Sequence, residues 1–158
     1  MPKITPNLWF EDQAEEAMNF YASIFKDSKK GNVTRYLAGT PGPEGQVMTA
    51  EFEIEGQPFV ALNGGPEFKF SPAISFIIAC EDQAEVDHYW DSLIQVGEPD
   101  QCGWLRDKFG LSWQVVPTVL NKMMEDPDPA KSQRVMEQLL EMVKLDIKPL
   151  EDAYNSAG

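Results

Sequence analysis

Apolar and polar positions along this chain follow two periods in turn, and the switches between them mark out its elements. Ile4 to Phe10 is a short apolar run that predicts a buried strand. Beyond it Ala14, Ala17, Met18, Tyr21, Ile24 and Phe25 recur at spacings of three and four, the apolar face of a helix that Lys26 to Gly31 ends. Asn32 to Leu37 predicts a strand, and Ala38 to Gly45, dense in Gly and Pro, a loop. Gln46 to Ile54 alternates Met48, Ala50, Phe52 and Ile54 against Val47, Thr49, Glu51 and Glu53, a half-buried strand. Glu55-Gly56 turns it into a further strand, Pro58 to Asn63. Residues 2–63 thus spell β-α-β-β-β.

After a Gly- and Pro-rich link at 64–72, the order begins again. Ala73 to Cys80 predicts a strand, and Val86, Tyr89, Trp90, Leu93 and Ile94 form a helical stripe. Gln101 to Asp107, a turn at Lys108-Phe109-Gly110, and Leu111 to Val116 complete residues 73–117, a module either one strand shorter than the first or holding an irregular strand near Glu98 to Asp100. Residues 118–155 predict helices at Thr118 to Asp126, Pro129 to Lys144 and Ile147 to Tyr154, with Val135, Leu139, Met142 and Val143 as a stripe. That extension is expected to pack back on the sheet and to reach a second subunit.

One pentapeptide ties the halves together: Glu11-Asp12-Gln13-Ala14-Glu15 returns unchanged as Glu81-Asp82-Gln83-Ala84-Glu85, 70 residues later. The register holds around it, with Pro2 on Pro72, Ile4 on Ile74, Leu8 on Ile78 and Phe20 on Trp90, which marks a duplication. Asp12 followed three residues on by Glu15 is a capping-box start for the first helix. The expected fold is α+β, a single domain over 1–158 in which two modules bend their strands into a U-shaped mixed sheet with outer helices, followed by C-terminal helices. A binding site is expected at the join of the modules.

Charge and cysteine content narrow the partners. A formal net charge of −13 over 158 residues argues against nucleic acid and anionic membrane, both of which need positive surface. No stretch approaches a membrane span, and Met1-Pro2-Lys3-Ile4-Thr5-Pro6 lacks a signal peptide's apolar core, so the cytoplasm is the expected location. Cys80 and Cys102 suggest neither a disulfide framework nor a zinc knuckle. A Ser/His/Asp triad, a phosphate-binding Gly loop and an HExxH helix are absent.

Strand alternation assigns the candidate site. If Ile4, Leu8 and Phe10 meet the helix, Thr5, Asn7 and Trp9 face the pocket; Ser75, Ile77 and Ala79 line the opposite wall, and Gln114 shares a face with Ser112 and Val116. Polar groups at Thr5, Asn7, Asn63, Ser75 and Gln114 then converge, with Trp104 as a further surface for a flat ligand. Cys102, expected on a strand beside Gly103 and Trp104, is a candidate thiol without a nearby base in sequence, and no catalytic residue is assigned. Arg106 and Lys108 either orient an anionic ligand or pair with Asp107 and surface acids. His88 falls on a helix and reads as a surface residue.

The run Trp9-Phe10-x-x-x-Ala14-x-x-Ala17-x-x-Phe20-Tyr21, the segment Ala61-Leu62-Asn63-Gly64-Gly65-Pro66, and above all Cys102-Gly103-Trp104-Leu105-x-Asp107-Lys108-Phe109-Gly110-x-Ser112-Trp113-Gln114-Val115-Val116-Pro117 resemble the PhnB-like proteins. These belong to the vicinal oxygen chelate, or glyoxalase and bleomycin-resistance, superfamily and often carry the label demethylubiquinone methyltransferase-like. The resemblance implies paired β-α-β-β-β modules and a homodimer. It also implies that the metal-ligand positions of metal-using members fall here on Thr5, Asn63, Ser75 and Gln114, hydroxyls and neutral amides that hold a divalent ion poorly. The expectation is therefore a small-molecule-binding protein with no metal and no cofactor. Two alternatives stand beside it: an isomerase, lyase or dioxygenase-type enzyme with an ion held weakly by Glu51 or Gln114, and a methyltransferase. Against the last, Gly64-Gly65 is followed by Pro66 and aromatics, where an S-adenosylmethionine site wants a helix.

Overall fold

The computed structural model describes residues 2–156. The first module consists of β1 (Asn7–Phe10), α1 (Ala14–Ile24), β2 (Ser28–Arg35), β3 (Val47–Ile54) and β4 (Gln57–Asn63), in a four-stranded sheet ordered β1-β4-β3-β2. β1 runs parallel to β4, and the other pairs are antiparallel. Parity decides the core: Leu8, Phe10, Ala50, Phe52, Ile54, Phe59 and Ala61 are buried beneath the buried α1 residues Ala14, Ala17, Met18, Tyr21 and Ile24. Tyr21 stacks on Phe52 at 5.9 Å and Phe52 on Phe59 at 5.4 Å. Each such ring, fully buried, contributes roughly 2–3 kcal/mol.

β2 begins four residues ahead of the strand that the sequence predicts. Its Ser28 and Lys29 pair with Ile54 and Glu53, so ladder hydrogen bonds carry a segment whose polar composition reads as a helix end. The register shifts between Lys30 and Val33, where Gly31 lies so near β3 that a Cβ would stand 3.0 Å from the Glu51 carbonyl oxygen.

The second module repeats the order with β5 (Ser75–Cys80), α2 (Gln83–Leu93), β6 (Glu98–Pro99), β7 (Trp104–Arg106) and β8 (Ser112–Pro117), its sheet ordered β5-β8-β7-β6. The irregular strand near Glu98 is thus present, reduced to two residues. Val96 stands at φ 59°, and a Cβ on Gly97 would meet the Arg106 carbonyl at 2.3 Å, so the approach to β6 is sharply bent and pressed against β7. Val86, Tyr89, Trp90 and Leu93 of α2 are buried, as are Cys80, Leu105, Trp113 and Val115 of the sheet.

α3 (Thr118–Met124), α4 (Pro129–Leu140) and α5 (Ile147–Asn155) follow, around a core of Leu120, Met123, Val135, Met142, Leu145 and Leu150. α4 ends at Leu140, not at Lys144. The Met142 and Val143 carbonyls accept the Cys102 and Gly103 amides, and Lys144 reaches Asp87 at 2.6 Å, so the backbone leaves the helix to make these contacts. The chain divides into two compact units, 1–70 and 71–158, and the extension belongs to the second. Among the described residues no helix is long and apolar enough to cross a membrane.

Candidate functional site

In the first module, the sheet face turned from α1 carries Asn7 and Trp9 of β1, Val60 and Leu62 of β4, and Thr49, Glu51 and Glu53 of β3, aligned by the register of the strands. Thr5, just ahead of β1, Lys29, Glu51, Glu53, Pro58 and Val60 line a concavity of about 350 Å³. Lys29 pairs with Glu53 at 3.7 Å with both groups solvated, an ion pair worth under about 1 kcal/mol. The Trp9 indole is committed to the loop that follows β4: its Nε1 donates to the Gly65 carbonyl at 2.9 Å and Phe68 meets it edge-on at 5.0 Å. A Cβ on Gly64 would lie 2.4 Å from that indole. Close packing of Trp9 is therefore the physical reason for Gly64, while Gly65 stands at φ 97°, where only glycine is free of strain.

Asn63 points the other way, toward α1. Its Oδ1 accepts the Ala14 amide at 2.8 Å and its Nδ2 donates to the Val47 carbonyl at 3.0 Å, while its own carbonyl accepts the Tyr36 hydroxyl. This amide ties a helix end to two strands. Parity shows why: Asn63 shares the phase of Phe59 and Ala61, both buried beneath α1.

In the second module the face turned from α2 is built in rows. Ser75, Ser112 and Arg106 are successive cross-strand partners, as are Ile77, Gln114 and Trp104. Gln114 Nε2 donates to Ser75 Oγ at 3.0 Å, which joins the two rows, and half-buried Trp104 stands beside Gln114. Arg106 makes two bonds to the Asp100 carboxylate, 3.1 and 3.2 Å, and that hydrogen-bonded partner holds the guanidinium above its ordinary pKa. Ser112 Oγ is buried with no hydrogen-bond partner, a rare condition in a folded chain.

Cys102 is not on a strand. It sits in the turn before β7 at φ 59°, half-buried, its amide donating to the Met142 carbonyl. Burial, followed by the nearby Glu85 charge, pushes the Cys80 thiol up to about 12, so it stays protonated. His88 is exposed on α2, its ring 4.9 Å from that of Tyr89.

The residue that sequence reasoning undervalued is Asp107, weighed only as an ion-pair partner. It is buried, and its carboxylate accepts the Phe109 amide at 2.9 Å, the Leu111 amide at 3.1 Å and the Trp113 indole N–H at 2.9 Å. The run Asp107-Lys108-Phe109-Gly110, with Gly110 at φ 89°, is an aspartate-anchored turn that aims Trp113 into the core. An aspartate two residues before Phe and three before Gly was the available signal.

A divalent metal does not fit the positions that the resemblance implies. Asn63 has both ends of its amide occupied, Gln114 and Ser75 bond each other, and Thr5 offers a single exposed hydroxyl. Among the described residues no three His, Cys, Asp or Glu side chains are grouped to hold an ion.

The model of a family described as 3-demethylubiquinone-9 3-methyltransferase matches residues 2–116. A PhnB protein from Bacillus cereus, provisionally named a 3-demethylubiquinone-9 3-methyltransferase, is 39% identical, with 73% of this chain covering 99% of that one at a TM-score of 0.68. A protein from Pseudomonas aeruginosa (19% identity, 74% of this chain and 98% of that one, TM-score 0.57) shares the fold. So does a fosfomycin resistance protein from Listeria monocytogenes (15% identity, 79% and 98%, TM-score 0.55). No curated protein matches the chain.

Proposed function

The chain belongs to the PhnB-like family described as 3-demethylubiquinone-9 3-methyltransferase and shares its fold with a fosfomycin resistance protein, and from that premise we propose that it binds a small, flat, largely apolar molecule without a tightly held metal. The observation that carries the reading is the Gln114–Ser75 bond beside Trp104: a neutral donor and acceptor next to an aromatic surface. Such a set recognises an uncharged ligand with one or two polar atoms and leaves a cation weakly held. Thr5, Asn7 and the ring of Trp9 present polar and aromatic groups on the first module's own sheet face. In this reading the protein is a cytoplasmic homodimer that carries or sequesters its ligand.

The test uses N-phenyl-1-naphthylamine, a neutral flat fluorophore. Saturable binding that Gln114→Ala weakens about tenfold, the equivalent of one lost hydrogen bond, supports the proposal. Binding unchanged by that substitution removes it. Native mass spectrometry with elemental analysis checks subunit count and metal together, and a stoichiometric divalent ion favours the enzyme alternative.

Methyl transfer is the second reading, favoured by the family's description. S-adenosylmethionine raising the melting temperature in proportion to the logarithm of its concentration supports it, and no shift at saturating concentration counts against it.

A further inference from the structure

The family match ends at residue 116, and 73% of this chain accounts for 99% of the Bacillus cereus relative, so the C-terminal extension has no counterpart there. Its segment 142–147 is not simply the link between α4 and α5. On one side the Met142 carbonyl accepts the Cys102 amide at 2.9 Å and the Val143 carbonyl accepts the Gly103 amide at 2.7 Å. Leu145 closes over Gly103, where a Cβ would lie 2.9 Å from the Leu145 Cγ. On the other side the Gln83 amide at the start of α2 holds the C-terminal half of the segment at two points: Nε2 donates to the Leu145 carbonyl at 3.2 Å, and Oε1 accepts the Ile147 amide at 2.8 Å. Lys144 adds its bond to Asp87.

The turn held in this way is strained. Cys102 stands at φ 59°, in the left-handed region that a non-glycine residue seldom occupies, while Gly103 at φ 86° adopts that region without steric cost. The next residue is Trp104, the cross-strand partner of Gln114, and the Gly103 carbonyl accepts the Val115 amide at 2.8 Å. The position of Trp104 against Gln114 is therefore set by β8 on one side and by the extension on the other.

We infer that segment 142–147 is a brace for the Trp104–Gln114 row and that Gln83 is its latch, a positioning residue acting on the site through the Cys102–Gly103 turn. The effect on binding rests on the proposed function; the brace does not. The duplication supplies an internal control, because Gln13 holds the same place in the first copy of the pentapeptide and is exposed.

The experiment compares the full-length wild type with Gln83→Ala and Gln13→Ala, by amide hydrogen exchange and by N-phenyl-1-naphthylamine titration. Gln83→Ala is expected to speed exchange at Cys102 and Gly103 about tenfold or more, the signature of local opening, and to weaken the probe several-fold at unchanged stoichiometry. Gln13→Ala is expected to change neither. Lys144→Met, a milder release of the same segment, moves both readouts in the same direction and serves if Gln83→Ala fails to fold. Exchange that rises in residues 142–147 but not at Cys102 and Gly103 overturns the brace. Faster exchange at the turn with probe affinity unchanged overturns its action on the site. Absence of probe binding to the wild type defeats the proposed site, and the exchange result then decides the brace alone.

Discussion

The two copies of Glu-Asp-Gln-Ala-Glu open α1 and α2 and are closed by different means. At α2 the local device forms: Asp82, the N-cap, accepts the Glu85 amide at 2.9 Å, and Glu85 Oε1 reaches back to accept the amide of Glu81, one residue before the cap, at 2.9 Å, a variant of the capping box. At α1 the same residues form no side-chain cap, and Asn63 of β4 takes the Ala14 amide from 49 positions away. Gln83 is spent on the extension, whereas Gln13 is exposed. Identical local sequence offers a set of hydrogen-bonding options; the neighbour that tertiary structure brings up selects among them.

The sharpest break in the symmetry of the modules is Asp107, which has three donors and a buried setting in the second module. Asp107→Ala leaves the Trp113 indole N–H and two amides unsatisfied, and urea unfolding is expected to show a loss of about 3 kcal/mol. Asn63→Ala removes the long-range cap together with the tie to Val47, for an expected loss of about 2 kcal/mol. Asp82→Ala removes only a local cap and is expected to cost about 1 kcal/mol. Equal losses from Asn63→Ala and Asp82→Ala would mean that the difference between the two helix starts has no energetic consequence.

The smallest effect is electrostatic. The hydrogen bond from Lys144, then that from Gln83, hold the Asp87 carboxyl below its ordinary value of 3.8. A carboxyl lowered on folding stabilises the folded state above that ordinary value, and the contribution disappears as pH falls below it and the group protonates. Both partners are substantially solvated, with side-chain exposures of 35% and 47%, so the pair is worth a few tenths of a kcal/mol up to about 1. Lys144→Met should flatten the stability profile between pH 5 and 3, roughly the span of a carboxylate titration, and a profile identical to wild type would remove the pair from the account of the extension.

Much of this fold was legible in the chain. Period-two alternation in 46–54 and the three-four spacing in 14–25 correspond to β3 and α1, and the duplication stands as two modules with the same strand order. The candidate site was legible in part: Ser75, Gln114 and Trp104 come together as strand parity requires, since a strand's period fixes which residues share a face. Asn63 obeyed the same rule with the opposite result, because its phase follows Phe59 and Ala61 toward α1. Cys102, whose neighbours read as a strand, stands instead in a turn closed by the Trp104 amide on the Gln101 carbonyl and held by the bonds of the Cys102 and Gly103 amides to Met142 and Val143.

By itself the sequence determined the elements, the repeat and the apolar faces, because these depend on periodicity and on the φ/ψ preferences of neighbouring residues. Tertiary structure decided what each polar side chain serves: Asn63 a helix end, Asp107 a turn and an indole, Gln83 the extension. A buried hydrogen-bonding group left unsatisfied is costly, so with Ser112 Oγ as an exception these groups take whatever donor or acceptor lies within about 3 Å, and such partners stand up to 64 residues away.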